Sequence, residues 1–192
     1  MKKSIIKMMS LILTVLTVMS LSLPTFAAGA HAKPKAEPLT PTEDTTWGDI
    51  CRHFNPEWFQ TLPIEVQKQY DELLYLANTN ATDSSRAGAL KLGIDLNSTS
   101  SSIAYNGGLT LSISAPDMES MALTLALYDA ETNTLIDSDN AVETNTRMCT
   151  LTGAFFDLER SHRYRVDSIG IAVPPPGYTV SPVSGSNFIS TK

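Results

Sequence analysis

The stretch Leu90-Lys-Leu-Gly-Ile-Asp-Leu96 decides the fold class, because its large apolar residues alternate with polar or small ones. This period of two is typical of a β-strand that buries one face. The same alternation returns over residues 109–113 and over residues 123–127. We therefore expect several strands that each turn one apolar face toward a shared core.

The rest of the C-terminal region supplies further strands and the turns between them. Turns are predicted at Asn106-Gly107, Pro116-Asp117 and Glu131-Thr-Asn133, and further strands at 134–136, 147–156, 163–173 and 178–183. Seven or eight short strands predict an antiparallel, immunoglobulin-like β-sandwich over residues 89–192. Near Ser168-Ile169 the apolar residues change faces, so we expect a bulge there.

A helical pattern precedes the strands over residues 46–77. Thr46 is placed to cap a first short helix, with an acidic residue three positions later as in a capping box. Asn55-Pro56 begins a second helix, and Pro63 begins the longest one, whose apolar residues form a single stripe. About 30 residues cannot bury that stripe alone, so we expect it to pack on the sandwich across a polar linker at 78–88.

The N-terminal segment predicts export from the cell. Residues 1–30 have the pattern of a signal peptide, with basic residues first, an uncharged run over 8–23, and small residues that allow cleavage after Ala27 or Ala30. The apolar run is shorter than the ~20 residues of a membrane-spanning helix, which favours cleavage and no membrane association afterwards. The proline-rich stretch 31–45 is then a flexible tether. The expected location is secreted or bound to the bacterial cell surface.

Charge and motifs narrow the class of function. The chain has 192 residues and a net charge of −6; without the three leader lysines, 11 basic residues face 20 acidic ones, a net charge of −9. Such a chain lacks the basic surface of a nucleic-acid-binding protein. It also has no Gly-x-Ser-x-Gly, His-Glu-x-x-His, phosphate-loop or Cys-x-x-Cys motif. We therefore expect a non-catalytic binding protein without a cofactor or metal, and keep a hydrolase of envelope polymers and a structural surface subunit as alternatives.

The two cysteines leave three interpretations open. Cys149 is in phase with Leu151 and faces inward, whereas Cys51 lies on the apolar part of the first helix. A disulfide between them would attach the helices to the sandwich, and without it both would behave as small buried hydrophobic residues. In the third interpretation Cys51 is a nucleophile with His53 or His162 as its base.

One short stretch concentrates basic side chains in this acidic chain, namely Arg160, His162, Arg163 and Arg165. In a strand, Arg163 and Arg165 share one face while Tyr164 points to the other. That face is suited to an anionic cell-wall polymer, a charged glycan or another surface protein. The alternative is that each basic group pairs with acids on neighbouring strands.

Two further features have mainly structural interpretations. The acidic stretch Asp137-Ser-Asp-Asn-Ala-Val-Glu143 begins like a calcium loop, but Ala141 and Val142 replace a ligand and the glycine, so an acidic turn is expected. The aromatic residues of the helical segment could form a sugar platform, although aromatic residues at helical spacing more often build a core.

Leu158 stands six residues before Tyr164, at the start of a predicted strand. This is similar to the tyrosine corner of immunoglobulin-like and fibronectin-type sandwiches, although Arg160-Ser161 stands where that family has Pro-Gly. The resemblance implies a hydrogen bond from upstream backbone to the tyrosine hydroxyl. The whole plan of leader, tether, short helices and serine- and threonine-rich sandwich also resembles small exported proteins of Gram-positive bacteria with no assigned activity. That resemblance implies export and carries over no functional residues.

Overall fold

A computed structural model describes residues 35–76, 90–112 and 115–192 of the chain. Residues 36–192 gather into one compact unit. The predicted signal peptide at 1–30 and the linker at 78–88 lie outside the described residues. Within the described part of the chain, no helix combines the length and the apolar character that crossing a membrane requires.

Three short helices come first: α1 (Trp47–Phe54), α2 (Pro56–Thr61) and α3 (Ile64–Glu72). The predicted capping box is present, since the Thr46 hydroxyl accepts from the Asp49 N–H and the Asp49 carboxylate accepts from the Thr46 N–H. The longest helix, α3, ends at Glu72, earlier than predicted. After Glu72 the backbone is extended, and Leu74 forms an isolated antiparallel bridge with Thr46.

Seven strands follow: β1 (Leu90–Ser98), β2 (Ile103–Leu111), β3 (Met118–Asp129), β4 (Thr134–Thr146), β5 (Met148–Phe155), β6 (Arg163–Val173) and β7 (Val183–Ser190). They form two antiparallel sheets, ordered β1-β2-β5 and β4-β3-β6-β7. The predicted immunoglobulin-like β-sandwich preceded by helices is therefore confirmed. Compared with a constant-type immunoglobulin domain, the fourth strand pairs with the third instead of extending the other sheet.

A predicted turn and the predicted start of the last strand are wrong. Asn106-Gly107 lies in the middle of β2 and not in a turn, because both residues pair with β1 and with β5. The chain reverses instead at Thr99, whose N–H donates to the carbonyl oxygen of Ser102 at 2.9 Å. The last strand begins only at Val183, since Pro182 has no N–H to donate to a ladder.

Strand β6 has no bulge near Ser168-Ile169, which corrects the prediction. Its register with β3 and with β7 is uninterrupted. Tyr164 and Val166 face the core between the sheets, whereas Ile169 and Ile171 face the helices. The apolar residues change phase in the sequence because the strand is buried on both faces over most of its length.

The molecule has two apolar cores that meet at the four-stranded sheet. Leu123 and Leu125 of β3 point into the core between the sheets. Ala122 and Ala126 of the same strand point to the other face, where their small side chains leave room for the helices. The helices thus cover the outer face of this sheet, with Trp47 fully buried against it. The outer face of the three-stranded sheet carries no helix in the described part of the chain.

Part of the predicted tether makes an ordered contact with the sandwich. Leu39 exchanges two backbone hydrogen bonds of 2.8 Å with Leu135 of β4. Its side chain packs on the core beneath the helices. This pairing covers a short part of the β4 edge, which would otherwise expose unpaired backbone groups.

Candidate functional site

The tyrosine-corner residues lie at one end of the sandwich. The Tyr164 hydroxyl accepts a hydrogen bond of 3.0 Å from the backbone N–H of Glu159. Leu158 and Tyr164 are both buried in the core between the sheets. The contact joins the β5–β6 connection to strand β6 and has a structural role.

The structure divides the predicted basic cluster instead of placing it on one binding surface. Arg160 and Arg163 are exposed, and the Arg163 guanidinium lies 4.4 Å from the centre of the exposed Phe188 ring. Arg165 lies on the same face of β6 as Arg163, as its alternation predicts, but its guanidinium is half-buried over the Tyr128 ring. His162 is buried.

Arg165 is held by a buried carboxylate. The Asp167 side chain is fully buried, and Arg165 donates to its two oxygens at 2.8 and 2.9 Å. Ser186 of β7 donates at 2.6 Å, and the hydroxyl of Tyr75, after α3, donates to the same carboxylate. Burial, followed by the neighbouring Asp167 charge, raises the pKa of Tyr75. These contacts attach the helical segment to β6, so the role of Arg165 is structural.

His162 is surrounded by acids at one end of the sandwich. Its Nε2 lies 2.9 Å from Asp129, and its Nδ1 lies 3.5 Å from Glu131 and 3.6 Å from Glu159. The hydrogen bond to Asp129 raises the pKa of His162 above its usual 6.5. Burial tends to raise the pKa of Asp129, but hydrogen bonds from His162 and from the N–H groups of Glu131 and Thr132 outweigh it, and the pKa is lowered.

The cysteines are free thiols in different cores, so the disulfide that the sequence left open is not formed. Cys51 lies beneath the helices, with its sulfur 3.7 Å from the Thr124 hydroxyl and 3.7 Å from the Asn140 side-chain oxygen. Cys149 lies in the core between the sheets. The two cysteines lie on opposite sides of strand β3. Thr124 faces Cys51 and the helices, whereas Leu123 and Leu125 face the core that contains Cys149.

The Cys–His arrangement is not assembled either. Burial raises the pKa of Cys51 to about 12, which keeps the thiol protonated and unreactive. His53 donates from Nε2 to the carbonyl oxygen of Glu37 at 2.6 Å. His162 is engaged with Asp129. Neither histidine contacts the sulfur.

The acidic stretch forms part of strand β4 and not a turn, so its side chains alternate between the two faces of the sheet. Asp139 accepts from the Tyr105 hydroxyl of the opposite sheet, whereas Asn140 accepts from Thr124 at 2.9 Å on the helix side. Calcium needs its ligands around one point. Among the described residues, no group of three or more His, Cys, Asp or Glu side chains is placed to hold a metal.

The exposed face of the three-stranded sheet carries a trough that the sequence analysis did not anticipate. Its volume is about 400 Å³. It is lined by Lys91, Leu92, Gly93, Asp95, Asn106, Gly107, Gly108, Thr110 and Thr150. In the sheet register Gly93 stands opposite Gly108, and Gly108 stands opposite Thr150. This row crosses the strands and forms the floor, and we call the site the glycine trough.

On β1 and β2, the rows on either side of the floor carry polar side chains, and on β5 the exposed Met148 continues the row of Lys91 and Thr110. Lys91 stands opposite Thr110 on one side, and Asp95 stands opposite Asn106 on the other. Asn106 in turn accepts a hydrogen bond of 3.0 Å from Thr152. Each wall is two residues along the strands from the floor, so the two walls are about 13 Å apart.

The fold itself does not require glycine at either floor position. A Cβ atom added at Gly93 or Gly108 would meet nothing within 4 Å, and neither residue has a positive φ. By contrast, a Cβ at Gly153 would collide with Tyr105, and one at Gly170 with Leu109. Glycine inside a strand costs about 0.5–1 kcal/mol relative to alanine, and it often marks a place where a ligand approaches the backbone. The feature of the sequence that could have indicated this trough is Gly93, which occupies one of the polar positions in the alternating stretch 90–96.

Comparisons with known proteins give little beyond this description. No protein-family model matches the chain, and no curated protein matches it by sequence. A β-glucuronidase from Bacteroides uniformis is similar to it at 13% identity, covering 52% of this chain and 13% of that one, with a TM-score of 0.36. β-Glucuronidase 2 of the same organism, covalently bound to cyclophellitol-6-carboxylate aziridine, is similar at 15% identity, 58% and 14% coverage, and a TM-score of 0.35. The chain therefore matches only a small part of the length of each.

Proposed function

We propose that this chain is an exported, non-catalytic binding protein of the bacterial cell surface, with the glycine trough as its binding site. The observation that carries the proposal is the paired Gly93 and Gly108, which hold the middle of an exposed sheet open at a cost in stability. The partner is a polymer of the cell wall, a glycan or another surface protein. Nucleic acid and membrane are not partners in this proposal.

The chemistry of the trough favours binding over hydrolysis of envelope polymers. Glycoside hydrolysis generally uses two carboxyl groups about 5–10 Å apart. The lining of the trough contains one carboxylate, Asp95, and its other charged group is Lys91 on the opposite wall. The groups with the strongest potential for catalysis elsewhere, Cys51 and His162, are buried and bonded to structural partners.

Export rests on the leader pattern in residues 1–30 and on the resemblance to exported proteins of Gram-positive bacteria. The full chain, expressed in a Gram-positive host, is expected in the medium or the wall fraction, beginning at Ala28 or His31 by mass spectrometry. Retention inside the cell with the leader intact would contradict this part of the proposal.

Binding is tested with the exported protein and isolated Gram-positive cell walls in a salt series. We expect saturable co-sedimentation without release of soluble wall fragments, and no sedimentation in the absence of walls. Release of fragments would favour the hydrolase alternative. A solution mass that rises with protein concentration, without wall binding, would favour a structural subunit that assembles through a sheet edge.

A further inference from the structure

We infer that the glycine trough binds a neutral polysaccharide chain that lies across strands β1, β2 and β5. This inference rests on the proposed function and specifies its ligand. It follows from the direction of the trough, the chemistry of its two walls and the pairing of the strands beneath it.

The direction of the trough is set by the sheet register. Gly93, Gly108 and Thr150 are successive members of one cross-strand row, so the floor crosses the strands instead of following one of them. Neighbouring strands are about 4.8 Å apart, and the floor therefore extends for about 10 Å over three strands. Bare glycine backbone makes the floor flat on β1 and β2, and Thr150 adds a small hydroxyl-bearing side chain on β5. A single file of sugar rings is a ligand of matching shape.

The walls suit a ligand that is rich in hydroxyl groups. Lys91 and Thr110 supply donors on one wall. On the other wall Asp95 supplies acceptors, and Asn106, whose side-chain oxygen accepts from Thr152, supplies the donors of its amide nitrogen. A sugar hydroxyl both donates and accepts, so it can bond to either wall. The lining contains one cation and one carboxylate, whose charges cancel. This balance favours a neutral chain over the anionic polymer that the basic cluster had suggested.

The paired backbone beneath the trough disfavours a peptide ligand. A peptide that extends a sheet needs a strand with unpaired N–H and C=O groups. The floor strand β2 is instead paired along its length, with β1 on one side and β5 on the other.

The test fills the floor with side chains. Gly93→Thr and Gly108→Thr each place a branched side chain in open space, so they should keep or raise the midpoint of thermal unfolding while closing the trough. Ala104→Thr is the matched control, because Ala104 is exposed in β2, four residues before Gly108, and does not line the trough. Gly93→Ala and Gly108→Ala fill the floor less and should give intermediate binding.

The probes are the neutral and anionic polysaccharide fractions released from isolated Gram-positive walls, together with soluble neutral α- and β-glucans. We expect the exported full-chain product and Ala104→Thr to bind a neutral polysaccharide. Gly93→Thr and Gly108→Thr should weaken that binding at least tenfold without a loss of thermal stability.

Three outcomes would overturn the inference: neutral binding that both threonine variants retain, binding of the anionic fraction alone, and binding of wall peptide alone. If both threonine variants retain neutral binding, the trough is not the site, and that part of the proposed function is wrong as well. If the walls bind the protein through the anionic fraction or wall peptide alone, the binding function survives and only the ligand class is wrong. If neither intact walls nor any fraction binds, the proposed function fails as well.

Discussion

The two histidines in the described part of the chain show how surroundings decide the behaviour of the same side chain. His53 is exposed and donates to a backbone carbonyl. His162 is buried and bonded to Asp129, with two further glutamates within 4 Å. From the sequence alone, the basic residues between 160 and 165 suggest a binding surface. Strand register brings Asp129 of β3 beside His162, whereas Asp167, which pairs with Arg165, lies two residues away on the same strand.

The His162–Asp129 pair should make stability depend on pH. Because the pKa of His162 is raised in the folded protein, its contribution is complete below about 6.5 and is lost as the pH rises through the folded-state value. The pKa of Asp129 is lowered, so its contribution is present above about 3.8 and is lost as the pH falls through the folded-state value. The pair therefore stabilises the fold most between about pH 4 and 6.5.

The measurement is the midpoint of thermal unfolding of His162→Gln and of the unmodified protein from pH 4 to 9. We expect the largest deficit of the variant near pH 5 and a smaller one at pH 8. His53→Gln, at the exposed histidine, is the matched control for the loss of an imidazole ring. A deficit of His162→Gln that is constant over the range would mean that the pair does not act through protonation.

At the scale of elements, strand β6 joins the two cores. Its predicted bounds agree with the structure, and one face meets the opposite sheet while the other meets the helices. The period of two is a property of any strand, so it is visible in the sequence. Which layer covers each face depends on elements distant in the chain, and this is why the uninterrupted strand was predicted to contain a bulge.

The tyrosine corner gives a prediction for this element. Tyr164→Phe removes the hydroxyl that accepts from the Glu159 N–H and leaves that donor without this partner. We expect a loss of about 1–2 kcal/mol in the free energy of unfolding, measured in urea. The exposed Tyr178→Phe should change it little. Equal effects of the two substitutions would contradict a structural role for the corner.

At the scale of the whole molecule, the helices, the four-stranded sheet and the three-stranded sheet form three layers. The helices bury their apolar side on the middle layer, together with the ion pair of Arg165 and Asp167. Only the three-stranded sheet keeps an outer face open in the described part of the chain, and this face carries the glycine trough. The helical segment thus decides by its position which sheet remains accessible to a ligand.

Removal of the buried carboxylate should weaken the attachment of the helices. Asp167→Ala leaves the half-buried Arg165 without its ion-pair partner, and we expect a loss of about 3–5 kcal/mol in urea unfolding. Glu72→Ala removes the exposed partner of Lys68 and should cost less than about 0.5 kcal/mol. A small effect of Asp167→Ala would show that the apolar contacts alone hold the helices.

The sequence alone determined those features that arise between near neighbours in the chain. The capping box at Thr46 and the contact between Glu159 and Tyr164 each join groups at most a few residues apart. The bounds of β6 follow from the alternation of neighbouring residues. Hydrophobic periodicity extended this to the sandwich class, because each strand must bury one face. The same local arguments predicted the helical segment and its need for a covering layer.

Only the tertiary structure decided the placement of groups far apart in the sequence. Strand register sets Gly93 beside Gly108, and layer order separates Cys51 from Cys149. A shift of one residue in register would turn a side chain to the opposite face, and the hydrophobic pattern does not show which strands become neighbours. The candidate site is made by that pairing, so it became visible only when the sheets were assembled.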